Sequence, residues 1–99
     1  MDMKEYQKLS KNIVDRIDKK HDLDRDVQMT ISQLVEEFGE LAKVANLKKL
    51  RAKNPELKDL EDEFADVLIQ LAKLADILGV DLEKSVAGKI EVLKKRQNV

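Results

Sequence analysis

Five carboxylates stand where they could do chemistry: Glu36, Glu37 and Glu40 in the run LVEEFGELAKVA, and Glu63 and Asp66 in EDEFADVLIQLAKLA. Glu37 and Glu40 are three apart, as are Glu63 and Asp66, so each pair shares one face of a helix. Both pairs border apolar residues, Glu37 lying angularly between Leu41 and Val44, and Glu63 just beyond Val67 and Leu74. A solvated acidic surface laced with ion pairs would look similar. That surface needs Lys or Arg three or four positions away, and only Glu40 has one, Lys43. In a chain with 19 basic residues, such scarcity is informative. Unpaired carboxylates beside an apolar face cost stability unless a cation joins them. An all-oxygen ligand set suits a hard ion, so Mg²⁺ or Mn²⁺ is expected before Zn²⁺.

The composition closes off other chemistries. Without cysteine there is neither a disulfide framework nor a thiolate nucleophile. A single His21 excludes a multi-histidine metal site within one chain, and a di-iron bundle would need Glu-x-x-His pairs. The 19 basic residues nearly cancel the 20 acidic ones, which gives no reason to expect nucleic acid or an anionic membrane as partner. No apolar run approaches the roughly 20 residues that span a bilayer, and MDMKEYQKLSK is not a signal peptide, so a cytoplasmic setting is expected.

Ninety-nine residues are expected to make one domain spanning 1–99. Three glycines, one proline and three aromatics are too little punctuation for a β-sandwich or barrel, and the apolar residues follow helical spacing instead. The expected architecture is all-α, four helices with short connections. The first runs from about Met3 to Lys20. HDLDRD, His21 to Asp26, breaks the pattern and offers Asp22 or Asp24 as the next N-cap. The second helix continues to about Leu50, and Asn54-Pro55 reads as N-cap and first-turn proline of a third reaching about Leu78. Gly79 ends that helix, and Asp81 caps a fourth that finishes in Lys94, Lys95 and Arg96. On this reading the second and third helices form an antiparallel hairpin that converges four carboxylates, Glu37, Glu40, Glu63 and Asp66.

The second helix is apolar over well over half its circumference, whereas a surface helix needs only about 100°. The surplus predicts burial against a second subunit as well as against its own chain, hence a homodimer at least. Gly39 costs helix stability, and its missing Cβ admits either a neighbouring helix or a ligand phosphate beside Glu40. Tyr6, Phe38 and Phe64 sit on apolar faces and are expected in the core. His21 is expected to be a solvated helix-end residue.

These stretches resemble the MazG-like family of all-α nucleoside triphosphate pyrophosphohydrolases, whose motif is EExxE, a spacer of a dozen or more residues, then ExxD. Here the motif is Glu36, Glu37, Glu40, Glu63 and Asp66, and the resemblance covers about Val27 to Arg96. It implies Mg²⁺ ligation by Glu37, Glu40, Glu63 and Asp66, with Mn²⁺ as a substitute and Glu36 assisting a second ion or the attacking water. It also implies dimers or dimers of dimers and cleavage between the α- and β-phosphates. Relatives often carry an aromatic where this chain reads Val44-Ala45-Asn46-Leu47.

No protein nucleophile is visible, which agrees with hydrolysis by an activated water. Substrate contacts are expected among Lys89, Lys94 and Arg96, although Lys48, Lys49, Arg51 and Lys95 are also candidates and helix-end charges of this kind are mostly surface residues. Gln70 shares a face with Glu63 and Asp66 and either reaches bound water or nucleotide or is simply solvated. The expected function is house-cleaning or control of nucleotide pools. The rival is a non-catalytic helical module of the same fold that binds nucleotide or protein.

Overall fold

The structure, a computed structural model describing residues 1–99, is helical throughout, with no strand. Five helices rather than four follow one another: α1 Met3–Lys20, α2 Val27–Ala45, α3 Leu47–Arg51, α4 Leu57–Ile77 and α5 Leu82–Gln97. The extra helix arises at Asn46. Its side-chain amide donates to the Ala42 carbonyl at 2.8 Å, so the residue closes α2 and sets off a short α3. Asparagine competes for backbone groups in this way and therefore favours helix ends.

Two other boundaries differ from expectation. The cap of α2 is Asp26, which accepts from the Met29 N–H at 2.7 Å, and not Asp22 or Asp24. Asp22 instead takes a left-handed conformation, φ 52°, in the turn after α1. Asn54 is not the cap of α4 either. Pro55 biases its predecessor toward extended backbone, and the chain stays extended through Glu56, so α4 begins at Leu57 without a side-chain cap. Asp81 caps α5 as expected, accepting from the Lys84 N–H at 3.0 Å.

The core of the fold is the antiparallel pair α2 and α4. The half-buried or buried positions Val27, Thr30, Leu34, Glu37, Leu41 and Val44 recur on α2 at alternating steps of three and four. On α4 the same rhythm picks out Leu60, Glu63, Val67, Gln70, Leu74 and Ile77. Such stripes are what two packed helices present to each other. α1 lies on the other side of α4. There the Tyr6 hydroxyl donates to the Leu68 carbonyl at 2.5 Å, and buried Lys73 reaches Asp15 at 2.7 Å and Asp76 at 3.4 Å. Hydrogen bonds from Lys11 and then Lys73 hold the Asp15 carboxyl below its ordinary pKa. α5 is tied to α1 through Gln7, which donates to the Val80 carbonyl and accepts from the Leu82 N–H.

Little apolar surface is covered inside the subunit. Val14, Ala72 and Ala75 are the only buried apolar residues, and Phe38 and Phe64, expected in the core, are 61% and 55% exposed. The phenylalanines fall on the sides of α2 and α4 that no helix of the same chain covers. The radius of gyration is 16.1 Å, against about 13 Å for a compact chain of 100 residues. No helix is long and apolar enough to cross a membrane.

Gly79 ends α4 at φ 72°, with the Val80 N–H bonded to the Ala75 carbonyl and the Gly79 N–H to that of Asp76. This is the glycine-terminated motif in which a left-handed residue satisfies the last carbonyls. No atom lies within 4 Å of where a Cβ would stand, so a substitution meets only backbone strain. Gly79→Ala is expected to lower stability by about 1–2 kcal/mol and Gly79→Asn by less, in urea denaturation at fixed protein concentration.

Candidate functional site

Glu37 from α2 and Glu63 and Asp66 from α4 meet across the helix pair, each offering an oxygen within 4.8 Å of the others. The register explains the meeting. Glu37 and Glu63 both occupy the facing stripes, at positions that leucine and valine fill one turn away. Asp66 follows Glu63 on the same face of α4. None of the three has a Lys or Arg within ion-pair distance, although the chain forms such pairs elsewhere, as between Lys58 and Asp62 at 2.6 Å. Glu63 is half-buried and its Oε2 is shielded from water without a hydrogen-bond partner. Unsatisfied oxygens of this kind ask for an explanation, and a cation supplies one.

The electrostatics follow from that crowding. Burial raises the Glu37 pKa above the ordinary value, and the charges of Asp66, Glu63, Glu36 and Glu40 raise it further. Glu63 is raised too, first by burial and then by Asp66 and Glu40. Three oxygen ligands in a small volume, without a competing cation, form a set suited to Mg²⁺ or Mn²⁺.

Glu36 and Glu40 lie outside the triplet. Glu40 stands three residues from Glu37, the same offset as Asp66 from Glu63, but its carboxylate does not join the triplet. It is exposed and stands 3.7 Å from Lys43, the one cation its spacing offered. Glu36 is also exposed. Both are close enough to add their repulsion to Glu37. Gly39 has nothing within 4 Å of its missing Cβ, so no helix of this chain uses that space.

The residues expected to touch substrate divide. Gln70 is half-buried one turn beyond Asp66 and accepts from the Arg25 guanidinium at 3.4 Å. Lys89, Lys94 and Arg96 are exposed on α5, which packs on α1 rather than on the helices that carry the carboxylates, and Lys94 sits 3.5 Å from Glu91. A single chain therefore does not bring these cations to the triplet. An open apolar groove of about 840 Å³ runs between α1 and α4, lined by residues such as Tyr6, Leu9, Ile13 and Leu68, and it includes none of Glu36, Glu37, Glu40, Glu63 and Asp66.

Sequence reading missed Arg25. It lies in the α1–α2 connection, with its side chain 7% exposed, and holds Asp18 at 2.6 Å and 2.9 Å. The available signal was an arginine inside a turn with Asp18 seven residues earlier, a separation that matches no single-helix pairing.

Residues 25–99 match the family model of the MazG nucleotide pyrophosphohydrolase domain. No curated protein and no solved structure matches the chain.

Raised carboxylate pKa values have a definite sign for stability. The metal-free fold binds protons more tightly than the unfolded chain, so this contribution is greatest below the ordinary carboxylate range and is lost as pH rises through the raised values. Glu63→Gln and Glu37→Gln should therefore melt no lower than the parent in EDTA at neutral pH, with any advantage shrinking at mildly acid pH. Mg²⁺ should raise the melting temperature of the parent by mass action and that of the variants much less. Variants melting well below the parent in EDTA would make these glutamates structural hydrogen-bond partners instead.

Proposed function

The chain belongs to the MazG nucleotide pyrophosphohydrolase family, and on that premise we propose that it is a Mg²⁺-dependent nucleoside triphosphate pyrophosphohydrolase. It converts a nucleoside or deoxynucleoside triphosphate and water to the monophosphate and pyrophosphate. The observation that carries this reading is the unpaired carboxylate triplet Glu37, Glu63 and Asp66, one of which, Glu63, also has a buried oxygen without a hydrogen-bond partner. A non-catalytic binding module would have no use for three acids held together at a cost in stability.

Glu37, Glu63 and Asp66 would hold the ion, and Glu40 would join them by turning from Lys43. When bound, Mg²⁺ neutralises charge on the triphosphate and activates water. Water attacks the α-phosphorus, the α–β anhydride bond breaks, and pyrophosphate leaves. Glu36, exposed beside Glu37, accepts the proton of the attacking water. No serine or threonine is needed as nucleophile. Gln70 and the α5 cations Lys89, Lys94 and Arg96 are the proposed substrate contacts, the latter reaching the site from another subunit. The proposed setting is the cytoplasm, with house-cleaning or pool control as the purpose and neither nucleic acid nor membrane as partner.

We also infer that the functional unit is a homodimer or a dimer of dimers. Support comes from the exposed apolar residues Ile31, Val35 and Phe38 on α2, Phe64 and Leu68 on α4, and Ile90 on α5. Surfaces of this kind mark interaction sites.

Two measurements test the reading. A panel of nucleoside triphosphates with Mg²⁺ should yield pyrophosphate as the first product from any accepted substrate; orthophosphate appearing first, with diphosphate accumulating, would overturn the reaction type. Sedimentation at micromolar concentration should find no folded monomer, and a stable monomer would remove the dimer.

A further inference from the structure

Arg25 is the point where three helices are tied together. Its Nε and one terminal nitrogen hold both oxygens of Asp18 on α1, at 2.6 Å and 2.9 Å. Its other terminal nitrogen donates to Gln33 Oε1 on α2 at 2.6 Å, with Thr30 Oγ1 on α2 and Gln70 Oε1 on α4 both at 3.4 Å. Asp18 and Thr30 are buried, and Arg25, Gln33 and Gln70 half-buried. Thr30 and Gln70 occupy the facing stripes of α2 and α4. Gln33 is one turn from Glu37, and Gln70 one turn from Asp66. The polar interruptions of this helix contact thus fall into two adjacent layers, one acidic and one organised by Arg25.

We propose that Arg25 is a positioning residue for the carboxylate site, bridging α2 to α4 and so fixing how closely Glu37 approaches Glu63 and Asp66. The inference rests on the metal-binding reading of that site. The three carboxylates repel one another, and the repulsion acts to separate the two helices where they meet. The guanidinium draws both helices onto one nitrogen a turn away. Its charge is matched by Asp18, so Arg25 steadies the geometry without placing a competing cation among the acids. A planar fork serves this purpose, because it spends one edge on a carboxylate while a remaining nitrogen reaches other acceptors. Lysine has a single nitrogen for all of these partners.

Mn²⁺ alone is the probe, titrated against the folded full-length protein and followed by loss of the free-ion electron paramagnetic resonance signal. Arg25→Lys and Gln33→Met/Gln70→Met are compared with the parent and with Val14→Ala, a core truncation on α1 outside both polar layers. The double variant keeps the ion pair with Asp18 and cuts only the link to the glutamines, so it serves even where Arg25→Lys does not fold. The expected result is Mn²⁺ affinity reduced tenfold or more in Arg25→Lys and in the double variant, and unchanged in Val14→Ala at a temperature where all are folded. Parent-like affinity in the double variant overturns the inference and leaves the metal site standing. An equal loss in Val14→Ala also overturns it, by reducing the effect to lost stability. A parent that binds no Mn²⁺ removes the metal reading itself, and this inference with it.

Discussion

α2 and α4 must lie against each other at a place where both present carboxylates to the contact. Apolar positions such as Leu34, Leu41 and Val67 draw the pair together, and the same stripes carry Glu37 and Glu63 into the interface. Hydrophobic burial is non-directional and sets only that the helices meet. The like charges on the two stripes oppose the meeting. Burial first, and then the neighbouring carboxylates, raise the pKa values of Glu37 and Glu63. A divalent cation would reverse the sign of that repulsion, so the helix contact and the proposed ion site are the same place in the fold.

Holding carboxylates together in such a contact calls for a tie elsewhere. The pair of Arg25 and Asp18 has the properties of one: both side chains are under a tenth exposed, doubly hydrogen-bonded, and placed in the connection that leads from α1 into α2. Removing one partner from such a buried pair typically costs on the order of 3–5 kcal/mol, because the other charge is left uncompensated. The pair is better understood as fixing geometry than as adding stability, since an apolar replacement of both can be as stable. On the far side of α4, Lys73 with Asp15 and Asp76 ties α1 down by similar means. α4 is thus steadied on two faces by polar side chains rather than by a large apolar core.

The small core has a consequence for assembly. With three buried apolar residues in 99, the aromatic rings of Phe38 and Phe64 stay largely in solvent within one chain. A chain of this length buries only about two-thirds of its unfolded surface, so a partner subunit would help it. The proposed second copy would cover these faces and offer the α5 cations a route to the carboxylates that the single chain does not provide. Gly39 fits the same picture, since its open space has no occupant from within the subunit.

How far the sequence reached is best judged at particular residues. Helical periodicity, the glycine at position 79 and the cap at Asp81 were legible because they depend on neighbours within a few positions. So was the acidic site in outline, since three-residue spacing fixes a helix face and the scarcity of nearby cations can be counted. Other boundaries were decided by competition between local partners that spacing does not rank: Asp26 rather than Asp22 or Asp24, Asn46 as a break, and the delayed start of α4. Which of the five acids converge was decided by the rotation of α2 against α4, a tertiary quantity that turns Glu37 inward and leaves Glu40 beside Lys43. The bridge of Arg25 to Asp18, Gln33 and Gln70 joins residues up to 45 positions apart. Nothing in a linear pattern encodes that meeting, because it exists only once three helices have packed.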